Sequence, residues 1–154
     1  MRTQSKYAIL GFRATYRFLS NFYVEPDGSH VEGEYQRAKC ARFEQRKLFH
    51  QFHDDCKPFL DPSQCKPLGN QVEIRPDWES DGKSGLPIKV EIMQFYVAKK
   101  FRDHPSLAEQ LRATRGFYLE ETNIWGDVFY GVDATTRKGQ NVLGHILMEI
   151  RDSL

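Results

Sequence analysis

The sequence predicts an α+β protein: a helix-rich single domain over residues 1–154 with a small sheet. Three observations predict it. Long stretches repeat their apolar residues at helical spacing, as in Val90, Met93, Val97 and Phe101. Two short stretches, near the start and at 117–121, are rich in strand formers. The order strand, helices, strand, helix leaves helix in excess. A length of 154 residues suits one domain. Apolar residues make up 40% and aromatics 13% of the chain, enough for a core with rings left over to line a ligand site.

The elements follow in order. Residues 6–13, KYAILGFR, read as an opening strand. RFLSNFYVEPDGSH, 17–30, sets Ser-Asn between aromatics and then Pro-Asp-Gly, which predicts loop and turn. From Glu32 to His53, Tyr35, Ala38, Ala41, Leu48, Phe49 and Phe52 recur near helical period and predict one long amphipathic helix. A short helix starts at Asp61 as N-cap with Pro62 in its first position and stops at Gly69. Residues 75–87 are loop, 88–104 a second long helix, and 105–114 a third that ends before Gly116. FYLEE, 117–121, reads as a strand. A loop rich in Gly and aromatics runs to Gln140, and residues 141–154 close the chain as a helix.

The charge balance excludes some functions. Net charge is +1 and the two signs are interspersed, so no basic stripe marks a polyanion-coating protein. A small phosphorylated ligand needs only a few cations. Met1 to Tyr7 is polar and no apolar run approaches membrane-spanning length. The three cysteines, Cys40, Cys56 and Cys65, are odd in number. Together these features predict a soluble cytoplasmic protein with free thiols and no membrane partner. Neither a G-x-G-x-x-G fingerprint, a P-loop nor a Ser/His/Asp signature is present.

Three polar constellations remain. In VEGEYQRAKC, Glu32, Gln36 and Lys39 are spaced by four and three. On a helix at about 100° per residue they share one face. That face is either a solvated run of charge pairs or one wall of a catalytic pocket. In HQFHDDC, His50, His53 and Cys56 recur every third residue with Cys65 nine further on. A zinc site would need such donors, but the spacing matches no standard finger or ribbon; the plainer reading is a polar helix end. The stretch Asn123–Asn141 is a long loop of the kind that carries function. It holds Trp125, Asp127, Phe129, Tyr130 and Asp133, and it ends on Asn141. Asn141 falls at the start of the last helix, as a plain N-cap or as part of an anion-binding end.

Five stretches, FLSNFY (18–23), VEGEYQRAK (31–39), KPLGNQVEIRPDW (66–78), VAKKF (97–101) and WGDVFYGVD…GQNVLGHILMEIR (125–151), taken in order resemble the NADAR or YbiA-like family. The resemblance covers nearly the whole chain and implies a YbiA-like fold with N-glycosidase activity. Family members cleave the C1–N bond of ribosylated nitrogen compounds. Two substrate classes are implied: aminopyrimidine ribose phosphates of early riboflavin synthesis, and ADP-ribose on guanine, which would make ADP-ribosylated nucleic acid a partner. A non-catalytic ADP-ribose-binding module on the same fold is the alternative. No cofactor and no metal is called for.

The resemblance carries the family's glutamate and lysine onto Glu32 and Lys39, and its aspartate onto Asp127, as the catalytic positions. An alternative alignment through TNIWG would keep Trp125 and place Thr122 at the aspartate position. Asp127 is preferred because of its distance from Asn141, and Tyr130 then stands where the family has Trp. Gly33 and Glu34 depart from a histidine common after the glutamate. Substrate-binding positions are Ser20, Asn21, Phe22 and Tyr23 of the first motif and Gln36 beside the glutamate. Further along they are Trp78, Lys100, Tyr130 and Asn141. Lys39 would attack C1 as a neutral amine and form a Schiff base, with Glu32 moving protons; otherwise Lys39 only clamps a phosphate or hydroxyl. Phe22, Tyr23 and Trp78 would stack on the leaving base. Lys100 and Arg75 would be phosphate contacts or ordinary surface cations.

Overall fold

The computed structural model describes residues 7–154. Lys6, where the opening strand was expected to start, lies outside them. The chain divides into two compact units. One spans Asn21–Lys100; the other combines the chain up to Ser20 with Phe101–Leu154.

The central unit begins with α1, Val31–Lys39. The expected helix of 32–53 stops here, because Cys40 turns to extended geometry and forms an antiparallel bridge with Ile74. The main chain is then held on both sides: Ala41 N–H donates to Glu73 and Arg75 N–H donates to Lys39. Backbone partners outside the helix replace the next intrahelical bonds. Tighter 3-10 turns follow at Phe43–Phe49 and Gln51–His53, and Phe52 and His53 adopt positive φ, which no helix tolerates. α2, Pro62–Leu68, has the expected Asp61 cap and Pro start, completed by Gln64 in a capping box. Cys40, Phe49, Cys65 and Val72 form the unit's buried cluster, flanked by Leu48, Phe59, Leu60 and Leu68. Burying a ring such as Phe49 contributes about 1.5–3 kcal/mol. α3, Ile88–Asp103, is the second long helix as expected.

In the other unit the first strand shortens to β1, Ala8–Leu10. A 3-10 helix at Ala14–Leu19 occupies part of the expected loop. α4 is Pro105–Arg112 and β2 is Tyr118–Glu120. β1 runs parallel to β2, with Ile9 opposite Leu119. The stretch read as pure loop contains β3, Thr122–Asn123, and β4, Val132–Asp133, a second parallel pair. The small sheet is thus two separate two-stranded sheets. α5, Val142–Asp152, packs on β2 and α4 and buries Leu143, Ile146 and Leu147. Arg151 pins its end by donating to the carbonyls of Thr114 and Phe117 at 2.9 and 2.8 Å.

Candidate active site

Glu32, Gln36 and Lys39 lie on α1 as the spacing requires, and the solvated-face reading fails: they are 7%, 7% and 8% exposed. Gln36 Nε2 donates to Glu32 Oε1 at 2.9 Å. Gln36 Oε1 is buried with no hydrogen-bond partner. Burial pulls the Lys39 ammonium below the ordinary lysine value, opposed first by the Glu32 charge and then by Cys40. A buried amine shifted toward its neutral form beside a buried carboxylate is a common arrangement at reaction centres.

Two devices hold this face. The first is the start of α1. His30, its N-cap, accepts from Gly33 N–H through Nδ1 at 2.9 Å and sits 2.8 Å from the Leu60 carbonyl through Nε2. These partners require the neutral ring with its proton on Nε2. Burial holds the His30 pKa below its usual value, against the opposing Leu60 bond. A Cβ on Gly33 would stand 2.7 Å from His30 Cε1 and 2.9 Å from Phe59. Glycine at 33 thus leaves room for the ring that caps the helix. Asn21 joins the same turn, its carbonyl accepting from Glu32 N–H and its side chain reaching Met93 Sδ at 3.4 Å.

The second device is Gly69, at the end of α2. Its φ and ψ are −61° and −17°, ordinary right-handed values. What requires glycine is proximity: an added Cβ would fall 1.8 Å from Gln36 Oε1 and 3.0 Å from Lys39 Nζ. The amide and the amine thus both pack close to Gly69. Sequence reasoning took Gly69 only as a helix stop, and nothing local distinguished the two roles.

The other expected residues of this unit fall in four places. Trp78 is buried against Tyr35, ring centroids 5.1 Å apart. Phe22 has the Lys66 ammonium over its ring at 5.7 Å. Lys100 is no surface cation; it is 2% exposed, with its ammonium 5.2 Å from the Tyr23 ring. Burial brings its pKa down to about 7, against the opposing charge of Glu25. Arg75 is engaged bidentately by Asp77 at 2.6 and 2.8 Å.

The zinc arrangement is not assembled. Cys65 lies in the core, its thiol pushed up to about 12 chiefly by burial. His50 stacks on Phe59, and His53 and Cys56 are exposed. No three of the four bring ligand atoms within 4.8 Å of one another.

In the other unit, Asp127 builds the loop turn. Its Oδ1 accepts from Phe129 N–H at 3.1 Å and Tyr130 N–H at 2.9 Å. Asn123, which the sequence did not single out, clasps the same loop: its amide donates to Asp127 O and accepts from Asp127 N–H. Tyr130 stands edge-on to Phe129, whereas Trp125 of the rival alignment is 60% exposed. Asn141 makes no side-chain cap. Its amide donates to Leu119 O at 2.9 Å and Tyr118 Oη at 3.1 Å, and accepts from Glu121 N–H at 3.0 Å. It ties α5 to β2 rather than presenting an anion site. Ser20 ends the 3-10 helix, its N–H donating to Arg17 O.

Comparison with known proteins places this helix-rich α+β fold with its buried Glu–Gln–Lys face. The NADAR domain model matches residues 11–154. The chain belongs to the NADAR family. N-glycosidase YbiA of Escherichia coli K12 is 28% identical over 156 residues, covering 95% of this chain and 88% of that protein. The NMR structure of the E. coli protein YbiA superposes with a TM-score of 0.72 at 25% identity, covering 97% of this chain and 86% of that one. A riboflavin biosynthesis protein of Vibrio vulnificus is 43% identical over 67 residues, 44% of this chain. This chain spans only 18% of the length of that protein.

Proposed function

We propose that the protein is an N-glycosidase that hydrolyses a ribosyl C1–N bond, with Lys39 as nucleophile and Glu32 as its proton carrier. The observation that carries this reading is the joint burial of a carboxylate, an amide and an amine on one face of α1. A merely solvated face desolvates none of them. The lowered Lys39 pKa favours the neutral amine that attack needs. The unpaired Gln36 Oε1 supplies an acceptor for a ribose hydroxyl.

The steps balance as follows. The Glu32 carboxylate first takes a proton from the Lys39 ammonium; the freed Nζ lone pair attacks C1, the C1–N bond breaks, its electron pair leaves with the base, and the base takes that proton from Glu32. Nζ returns a proton to Glu32. The ribosylamine opens as the C1–ring-oxygen bond breaks and the oxygen is protonated, leaving a C1=Nζ Schiff base. Water adds to C1 and gives a proton to Glu32, which passes it to Nζ; the C1–Nζ bond then breaks as C1=O forms and the hydroxyl proton returns to Glu32, leaving the open-chain sugar and Lys39 as the free amine. Asp127 keeps the catalytic position that the family resemblance gives it. Substrate is either ADP-ribosylated guanine or an aminopyrimidine ribose phosphate, and the name of the Vibrio relative speaks for the second. Free thiols at Cys40, Cys56 and Cys65 fit a cytoplasmic setting; among the described residues no helix is long and apolar enough to cross a membrane.

The test is turnover of both substrate classes side by side, with release of free base followed by chromatography. Borohydride added during turnover traps a ribosyl adduct that peptide mapping places on Lys39. Lys39→Arg loses both turnover and trapping, because guanidinium stays protonated. An active Lys39→Arg enzyme overturns the nucleophile, and binding without turnover of either class overturns the enzyme in favour of a binding module.

A further inference from the structure

Within the central unit, a groove of about 660 Å³ lies on the other side of α1. Arg37 and Ala38 line it. At about 100° per residue these two point away from the face shared by Glu32, Gln36 and Lys39. The volume falls in the usual range for small-molecule sites. The feature is not used by the proposed reaction, and the inference drawn from it does not rest on that reading.

Its lining is cationic. Arg37 comes from α1, Arg46 from the 43–49 turn, Arg75 from the segment before Trp78, and Lys83 from the loop before α3. Arg75 is already held by Asp77. Arg37 and Arg46 differ from it: the Nε of each is buried without a hydrogen-bond partner. With Nε withdrawn from water, these two guanidinium groups carry partly desolvated charge at the groove, which an anion bound there offsets. The one acid in the lining, Glu91, is occupied by the backbone N–H of Ser84 at 2.8 Å and by the Ser84 hydroxyl. Guanidinium forks match the oxygens of phosphate and carboxylate, and the neighbouring rings favour a phosphate that carries a base. α3 adds two aromatic rings to the lining, those of Phe95 and Tyr96. Phe95 is half-exposed, with Tyr96 edge-on to it at 5.0 Å. An open aromatic face beside arginines stacks a flat heterocycle.

We propose that this groove is a second ligand site that takes a nucleoside phosphate, with the phosphate at Arg37 and Arg46 and the base on Phe95. The nucleotide arrives either free or as part of a single strand, and the test separates these sources. Full-length protein is titrated with AMP, adenosine and a short single-stranded oligonucleotide, and the amide resonances of Phe95 and Tyr96 are followed by NMR. AMP shifts them, adenosine binds far more weakly, and Arg37→Gln or Arg46→Gln weakens AMP about tenfold or more through loss of a charge-assisted contact. Turnover of the N-ribosyl substrate and the melting temperature stay at wild-type values in both variants. Lys39→Ala leaves the Phe95 response intact. Oligonucleotide binding with the same Arg37 dependence, in the absence of AMP binding, assigns the site to a strand. Adenosine binding as tight as AMP, AMP affinity unchanged in both arginine variants, or no response of Phe95 to any probe at millimolar concentration overturns the proposal.

Discussion

Gly69→Ala separates the chemistry of the α1 face from its folding. Alanine meets no backbone strain at φ −61° and ψ −17°. The substitution lowers the entropy of the unfolded chain and contributes about 0.4–1 kcal/mol of stability. Against this, the new methyl falls 1.8 Å from Gln36 Oε1, 2.5 Å from Gln36 Cδ and 3.0 Å from Lys39 Nζ. Contacts this short force the Gln36 amide aside, since it is the end of a flexible chain and yields before the helix does. Its 2.9 Å bond to Glu32 is then lost, at a cost of about 1.5–3 kcal/mol for a bond to a charged group. The net is a destabilisation of about 1–2 kcal/mol, which leaves the protein folded. Turnover falls much further, about 100-fold, because a displacement of an ångström or so in a positioned group is enough. Urea titration measures the first quantity and the initial rate on the preferred substrate the second. A folded Gly69→Ala protein with wild-type turnover refutes the placement of the reaction between Gln36 and Lys39.

Glu32→Gln is close to isosteric and removes the proton it carries, so turnover drops about 100-fold or more while ligand affinity, read by calorimetry, is kept. Asp127→Asn retains Oδ1 as an acceptor for Phe129 and Tyr130; its turn survives in a melting curve while turnover slows about tenfold or more, and a normal rate makes Asp127 only a builder of the loop. Lys100 titrates at about 7 when folded against about 10.4 unfolded. Between those values the unfolded state holds one more proton, so stability rises with pH from about 7 to about 10.4 and is lowest below that window; Lys100→Met removes this rise in urea melts taken across the range. Asn141→Ala deletes three side-chain hydrogen bonds and leaves alanine at φ 53°, costing about 2–4 kcal/mol in denaturant titration.

The legible parts of the fold are those whose signals are local. α3 and the Asp61–Pro62 start of α2 follow from periodicity and capping chemistry within a few residues, and both stand where expected. The helix expected through residue 53 fails for a reason no window contains. Its apolar spacing continues past Lys39, but Cys40 pairs with Ile74, thirty-four positions away. β3 and β4 were unreadable because two-residue strands have no alternation to detect. The same division runs through the site. The spacing of Glu32, Gln36 and Lys39 placed them on one face, but only packing shows that face buried. Asn141 was legible as a helix start, whereas its three bonds go to Tyr118, Leu119 and Glu121, more than a turn and a loop away.

Early termination of α1 bears directly on the chemistry. A nucleophilic lysine must shed its proton, whereas a carboxylate close by favours keeping it. Coulomb attraction to Glu32 works to hold the amine charged. Gln36 sits between them in sequence and on the face, and its Nε2 supplies Glu32 with a neutral donor. That bond satisfies the carboxylate in part. At Lys39 burial then outweighs the Glu32 charge, and the shift is downward. Lys39 is also the last residue of the helix, and its carbonyl is held by Arg75 N–H. The side chain thus leaves from a fixed backbone point rather than from a fraying end. A helix continued through Cys40 would release that anchor and part the amine from its place close to Gly69. The interruption that defeated the periodicity argument is therefore what fixes the reactive amine in place.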